Sequence, residues 1–265
     1  MLTAAVRDLH LRHPRRFLTD VRTHFPDLWK HNPYIARLDE YAPDVSVLNC
    51  TMPLVNVSNM AAKHVVHGYH DFLSRCLGLA LEPTAPQGDL HLSAAERRAA
   101  TKAELLAGRE IPFWLIGAGG KFDITIKWWD HRRYQKVVDH FRGRIQFVQV
   151  GGMQDHHPRL EGVMDLRGQT TVRDLVLLMH HAQGVLCGVT GLMHLSAAVP
   201  VCHGAFAARP CVVVAGGRES PAWEAYPHHQ FLHTVGSLPC CARGGCWRMR
   251  TRALGDERDG KVGKS

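Results

Sequence analysis

The stretch "GVLCGVTGLMHLSAAV", residues 184–199, decides the fold. Val185, Leu186 and Cys187 form a short apolar run closed by Gly188. From Gly191 a second apolar segment follows at once, this time with helical spacing. An uninterrupted apolar strand feeding directly into a helix is the signature of a parallel strand buried on both faces. Where such a helix starts, its first N–H groups lack partners within the helix and, with the helix dipole, favour an anion. Thr190 and Gly191 occupy that position, so Thr190 is either a plain helix cap or part of a phosphate cradle. His194, in the first turn, is either a further donor to that anion or a buried, satisfied histidine.

Working outward, the same unit recurs. "IPFWLIGAGG" (111–120), "IQFVQVGG" (145–152) and "PCVVVAGG" (210–217) each read as a strand ending in glycine. "DHRRYQKVVDHF" (130–141) and "TVRDLVLLMHHA" (171–182) read as the helices between them, the second with Thr171 near its start. Strands alternating with helices predict a parallel sheet covered on both faces, with ligands bound beyond the strands' carboxyl ends. That places the loops 117–127, 151–155, 188–194 and 216–219 along one rim. Towards the N-terminus the pattern is weaker. "MLTAAVRDLHLRHP" (1–14) predicts a helix ended by Pro14. "RRFLTDV" (15–21) and "DVSVLNC" (44–50) predict short strands, and "NMAAKHVVHGYHDFLSRCLGL" (59–79) a helix. "SAAERRAATKAELLA" (93–107) predicts one helix with Ser93 and Glu96 as a capping box. The tail "SLPCCARGGCWRMRTRALGDERDGKVGKS" (237–265) has no apolar period and reads as either held by a metal or partner, or disordered.

The 265 residues suffice for one large domain or two small ones. No apolar run approaches the roughly 20 residues that span a bilayer, and the N-terminus is not a signal peptide. The formal net charge of +8 favours anionic ligands, a sugar nucleotide or an anionic membrane surface among them. The basic residues are scattered and carry no nucleic-acid-binding motif, so nucleic acid is not an expected partner. Eight cysteines without a secretion signal point to a reducing, cytoplasmic setting rather than a disulfide framework. Cys50, Cys76, Cys187, Cys202 and Cys211 read as plain free thiols.

In the rim loops, Lys121 and Lys127 follow a glycine turn without the spacing of a P-loop or of a dinucleotide fingerprint. A lysine there can still neutralise a diphosphate as a point charge. Asp155, His156 and His157 follow the 145–152 strand, and adjacent histidines alone do not make a zinc site. The His-His pairs at 180–181 and 228–229 carry little weight in a chain with 19 histidines. Trp128 and Trp129 read as core or ring-stacking residues. Glu219 is either a group serving a sugar hydroxyl or a solvated charge. Cys240, Cys241 and Cys246 offer two or three thiolates, one short of a closed tetrahedral site.

Together, "GAGGKFDITIKWW", "VQVGG", "LRGQTTVRDLVLLMHHAQGVLCGVTGLMHLSAAV" and "VVVAGGRE" resemble bacterial glycosyltransferases of family 9, the ADP-heptose-type heptosyltransferases. The resemblance covers roughly residues 1–235. The Cys-Cys-x4-Cys-Trp tail is similar to that of the autotransporter heptosyltransferases, whose cysteines bind iron. It implies an α/β protein of GT-B type: two Rossmann-like domains with parallel sheets, the N-terminal one incomplete. The implied division is an acceptor-side domain over 1–108, a donor-binding domain over 109–235 and a Cys/Gly-rich tail over 236–265. The implied function is transfer of a sugar, heptose in this family, from a nucleotide-diphosphate donor to a bacterial surface glycan, as in lipopolysaccharide biosynthesis, or to a protein. The alternative is a non-catalytic nucleotide-sugar-binding or assembly protein derived from such an enzyme.

No cofactor is implied for the chemistry, while structural iron or zinc is implied at Cys240, Cys241 and Cys246. A homo-oligomer and peripheral membrane contact are compatible with the resemblance. The family's lysine before tryptophan matches Lys127. Its acidic residue near the donor ribose matches Asp155 loosely, and its Asp-Thr-Gly-x-x-His motif matches Thr190, Gly191 and His194. Gly119, in the first rim loop, completes the donor set. Val189 stands where the motif has aspartate. The family's Gly-Asp loop, source of its catalytic base, would lie before residue 1, leaving Glu219 as a substitute. The sequence is therefore expected to be a piece of a longer enzyme or to have lost part of its cleft.

Overall fold

The computed structural model describes residues 1–52, 54, 60–202, 208–246, 248–251 and 255. Six parallel strands form one sheet: β1 (Phe113–Gly117), β2 (Gln146–Gln149), β3 (Met164–Asp165), β4 (Gly184–Gly188), β5 (Cys211–Gly216) and β6 (His229–His233). Their order is β3-β2-β1-β4-β5-β6. The chain thus winds outward from β1 in one direction and then from β4 in the other, which opens a crevice between the carboxyl ends of β1 and β4.

The apolar content of the central strands explains their position. Leu115, Val185 and Val213 are fully buried in a core that also takes Val176, Leu178 and Met179 of α6 (Val172–His181) and Met193 of α7 (Gly191–Ala198). On the other face Ile116, Phe147 and Leu186 pack with Tyr134 and Val138 of α5 (His131–His140). Each such side chain contributes about 1.5–3 kcal/mol on leaving water. Gly184 lies beside Trp114 on the neighbouring strand, where a Cβ would fall 2.3 Å from the indole.

All strands among the described residues lie between 113 and 233. Residues 15–21, expected as a strand, contribute one parallel bridge, Thr19 to Ile35, and residues 44–50 form no strand. Residues 44–50 are largely exposed and 15–21 include no buried residue, and among the described residues no neighbouring strand supplies a ladder for their N–H and C=O groups. The expected helices do form, as α1 (Leu2–Arg12) and α2 (Val65–Leu77). The 93–107 segment is two helices rather than one, α3 (Ala94–Arg98) and α4 (Lys102–Ala107). Thr101 and Glu104 make a second capping box that restarts the chain after extended Ala99.

Ion pairs fasten these N-terminal helices to α6, among them Lys102 of α4 with Asp174 at 2.9 Å. Arg173 of α6 grips both oxygens of Glu96 at 2.7 Å and donates to the carbonyls of His91 and Asp27. The Arg173 guanidinium holds the Glu96 carboxyl down at about 2, with the Ser93 N–H adding to the effect. A depressed carboxylate contributes stability above its unfolded value that is lost as pH falls towards the folded one. We predict that Glu96→Gln costs about 1–2 kcal/mol at pH 7, and that the difference from the parent shrinks between pH 4.5 and 2. Urea unfolding at several pH values measures this.

Candidate functional site

The crevice at the strand reversal is lined by loops following β1, β4 and β5. After β1 the chain makes a glycine turn and a short 3-10 segment (Phe122–Lys127) that delivers Lys127 to the centre. Lys127 Nζ donates to the Val189 carbonyl at 3.2 Å, just beyond β4. It also lies 2.9 Å from Glu219 Oε2, beyond β5, in a charge contact off the hydrogen-bond direction. Glu219 in turn pairs with the neighbouring Arg218 guanidinium. Burial lowers the Lys127 ammonium to about 8, opposed by Glu224 and Asp123 and assisted by Arg218 and Lys121.

Glu224 was not singled out from sequence. The only local signal is that Ser220 and Pro221 start a one-turn helix, α8 (Pro221–Glu224), whose last residue folds beneath the site. There desolvation raises its carboxyl, against the pull of Lys127 and Arg218.

The structure separates the sequence-predicted residues into two groups. Lys127, Thr190, Gly191 and Glu219 belong to the three loops that meet at the crevice. Thr190 makes no side-chain bond to the α7 amides, so a simple side-chain cap does not account for it. Gly191 is exposed, and a Cβ there would meet nothing within 4 Å, which leaves open space outside the first amides of α7. Val189, the apolar departure from the motif, is buried in the main core and offers its backbone carbonyl, not its side chain, to Lys127.

Gly119, Asp155 and His194 are each held by contacts outside this set of loops. Gly119 (φ +151°) sits where a Cβ would lie 1.8 Å from the His156 carbonyl. This close approach lets Gly120 and His156 exchange two backbone hydrogen bonds, of 2.9 and 3.0 Å, joining the β1 and β2 loops. Trp128 stacks on His156 at 3.8 Å beside that bridge. Asp155 lies in the β2 turn, where its charge acts on His157. His194 shares a 2.8 Å hydrogen bond between Nδ1 and the Tyr226 hydroxyl. Burial pushes its imidazole down to about 3, so it is neutral at pH 7.

The described part of the tail is ordered against this rim. Met249 O accepts from Ile126 N, Thr251 N donates to Thr125 Oγ1, Cys246 N donates to Arg218 O, and Arg218 Nε donates to Arg248 O. The strap thus holds both the segment carrying Lys127 and the arginine that pairs with Glu219. Cys241 is buried and donates to the carbonyls of Leu238 and Thr234, whereas Cys240 is exposed and Cys246 half-buried. Trp247 and most of 252–265 lie outside the described residues.

A parallel sheet reversing between β1 and β4 defines a Rossmann-like protein, and the lysine and the helix N-terminus at the reversal make that rim the candidate site. Residues 41–201 match the model of glycosyltransferase family 9 (heptosyltransferase), and the chain belongs to that family.

Among solved structures it is similar to a family 9 glycosyl transferase from Veillonella parvula DSM 2008. The two are 18% identical over 67% of this chain and 51% of that one, with a TM-score of 0.49. It is similar too to the E. coli ADP-heptose lps heptosyltransferase II (19%, covering 65% and 54%, TM-score 0.46). A third is the dodecameric iron-containing heptosyltransferase TibC of enterotoxigenic E. coli H10407, solved with ADP-D-beta-D-heptose (20%, covering 61% and 39%, TM-score 0.41). The chain spans about half the length of these structures. No curated protein matches it.

Two glycines separate stability from binding. Gly119→Ala is expected to cost about 3 kcal/mol in urea unfolding, because the clash is with backbone. Gly191→Ala is expected to leave stability within about 0.5 kcal/mol and to weaken sulfate binding about tenfold, read by calorimetry. Free Lys127 titrates at about 8 and an anion favours its charged form. Affinity for an anion at this lysine, read with sulfate, is therefore expected to hold below pH 8 and to fall about tenfold per pH unit above it. Lys127→Arg removes that dependence.

Proposed function

We propose that this chain carries the donor side of a sugar transferase that uses a nucleotide-diphosphate sugar, with heptose as the sugar. The observation that carries this is the placement of Lys127 opposite the open N-terminus of α7 at the strand reversal. The reading assigns 109–235 to donor binding, 1–108 to the acceptor side and 236–265 to a strap. The acceptor is a bacterial surface glycan or a protein.

The donor diphosphate exchanges for the Glu219 carboxylate at Lys127 and takes the first amides of α7. An acceptor hydroxyl oxygen then attacks the anomeric carbon, and the bond from that carbon to the diphosphate oxygen breaks. Lys127 and the α7 amides take up the charge that develops on the leaving nucleoside diphosphate. The hydroxyl proton passes to a carboxylate base. Glu219, released from Lys127, is this chain's candidate for that base, and Asp155 and His194 act from the edges of the donor site. No cofactor takes part. No helix among the described residues is long and apolar enough to cross a membrane, and the surface charge of the chain suits peripheral contact with an anionic leaflet in the cytoplasm.

One observation favours a second reading, a binding protein without turnover: Glu219 is held by two cations at once, Arg218 and Lys127. Glu219→Gln distinguishes the two. As a base, its loss leaves ADP affinity unchanged or raised and lowers kcat for transfer from ADP-heptose at least a hundredfold. Transfer by the parent chain that Glu219→Gln leaves unchanged removes Glu219 from the chemistry. Tight ADP binding with no transfer by the parent chain supports the second reading.

A further inference from the structure

The opposite rim of the sheet carries a separate cluster. α6 runs antiparallel to the strands, so its last residues, His180 and His181, lie at the strands' amino ends, away from Lys127. Cys202 follows the end of α7 on the same side. The three side chains each present one ligand atom, a ring nitrogen from each histidine and the Cys202 sulfur, and these atoms all lie within 4.8 Å of one another. From these positions we propose that His180, His181 and Cys202 bind a borderline-soft divalent cation, zinc by preference, in a site distinct from the donor crevice.

Four features of the surroundings suit a cation. His180 Nδ1 faces the Pro200 carbonyl at 2.8 Å, an acceptor, so the proton sits on Nδ1 and Nε2 keeps its lone pair. A metal-binding histidine usually makes just this second bond, which fixes its tautomer and aim. His181 Nδ1 lies 3.8 Å from Glu104 Oε1, bringing a carboxylate behind the second ring. Cys202 N–H donates to His180 O at 3.0 Å, so the thiol is tied by its own backbone to the last turn of α6. That turn is the negative end of the helix dipole.

Imidazole and thiolate together select zinc-like ions over magnesium or calcium, which take oxygen ligands. Zinc bonds of about 2.0–2.1 Å to nitrogen and 2.3 Å to sulfur need ligand atoms about 3.3–3.6 Å apart, so atoms up to 4.8 Å apart have to close by up to about 1.5 Å. Arg209 lies nearby, and its charge opposes a cation. Its guanidinium is taken up by the carbonyls of Ala182, Ser196, Val199 and Pro200, while the Cys202 thiolate and Glu104 supply two negative charges. His180 is buried and Cys202 half-buried. A bound ion would clasp the end of α6 to the connection between α7 and β5.

Alkylation of the whole chain, mapped by mass spectrometry, tests the site without mutation. One equivalent of Zn2+ is expected to slow alkylation of Cys202 at least tenfold while leaving exposed Cys76 unchanged. Co2+ is expected to give thiolate-to-metal charge-transfer absorption. Cys202→Ser abolishes that absorption, His181→Asn weakens Co2+ binding at least tenfold, and the triple variant Cys240→Ser/Cys241→Ser/Cys246→Ser retains both absorption and affinity. Equal alkylation of Cys202 with and without Zn2+ overturns the proposal. So does a Co2+ spectrum that survives Cys202→Ser or disappears in the triple variant.

Discussion

The ammonium of Lys127 is where three strand ends meet. It donates to the carbonyl beyond β4 and faces the carboxylate beyond β5, while its own loop comes from β1. Strand order alone opens a crevice at β1 and β4, but it does not place a charge there. The lysine does, and the surroundings are arranged around holding a cation that burial disfavours. Glu219 and Glu224 offset its charge, and Arg218 keeps Glu219 in place. Lys127, Glu219 and Arg218 form a chain of ion pairs. In the function proposed above, an anion on Lys127 releases the Glu219 carboxylate, which links donor binding to the chemistry.

The centre of this fold is legible in the sequence and its edges are not. β1, β4 and β5 are covered on both faces, so each reads as an apolar run closed by glycine. β6 is an edge strand, mostly exposed, with two histidines and a glutamine among its five residues, and β3 is only two residues long. Neither needs an apolar run to pair on one side, so neither shows a periodic signal. Ser93 and Glu96 mark a helix start, and Thr101 and Glu104 repeat the same Ser/Thr-x-x-Glu spacing eight residues on, a start signal that the one-helix reading of 93–107 passes over.

For the site, composition and spacing point to loops that do meet at the β1–β4 crevice, but not to the contacts made within them. Lys127 and Gly191 stand out in the sequence because a diphosphate would need a cation and bare amides. Gly119 belongs to the same glycine turn, yet its role comes from the His156 carbonyl, more than thirty residues away in the chain. Val189 gains its meaning from the backbone: the motif's acidic position is a core position here, and the carbonyl beside it takes the lysine. The tail was ambiguous because its contacts are backbone hydrogen bonds to the β1 and β5 loops, which leave no pattern in side-chain polarity. His180, His181 and Cys202 each read as ordinary until folding juxtaposes them.

The central claim is that the crevice recognises a diphosphate through Lys127. Calorimetric titration of ADP and AMP into the same protein at pH 7 tests it most directly. ADP is expected to bind at least tenfold more tightly than AMP, and Lys127→Ala is expected to erase that difference while leaving the weaker AMP affinity in place. Equal affinities for ADP and AMP in the parent chain, or an ADP preference that survives in Lys127→Ala, would contradict it.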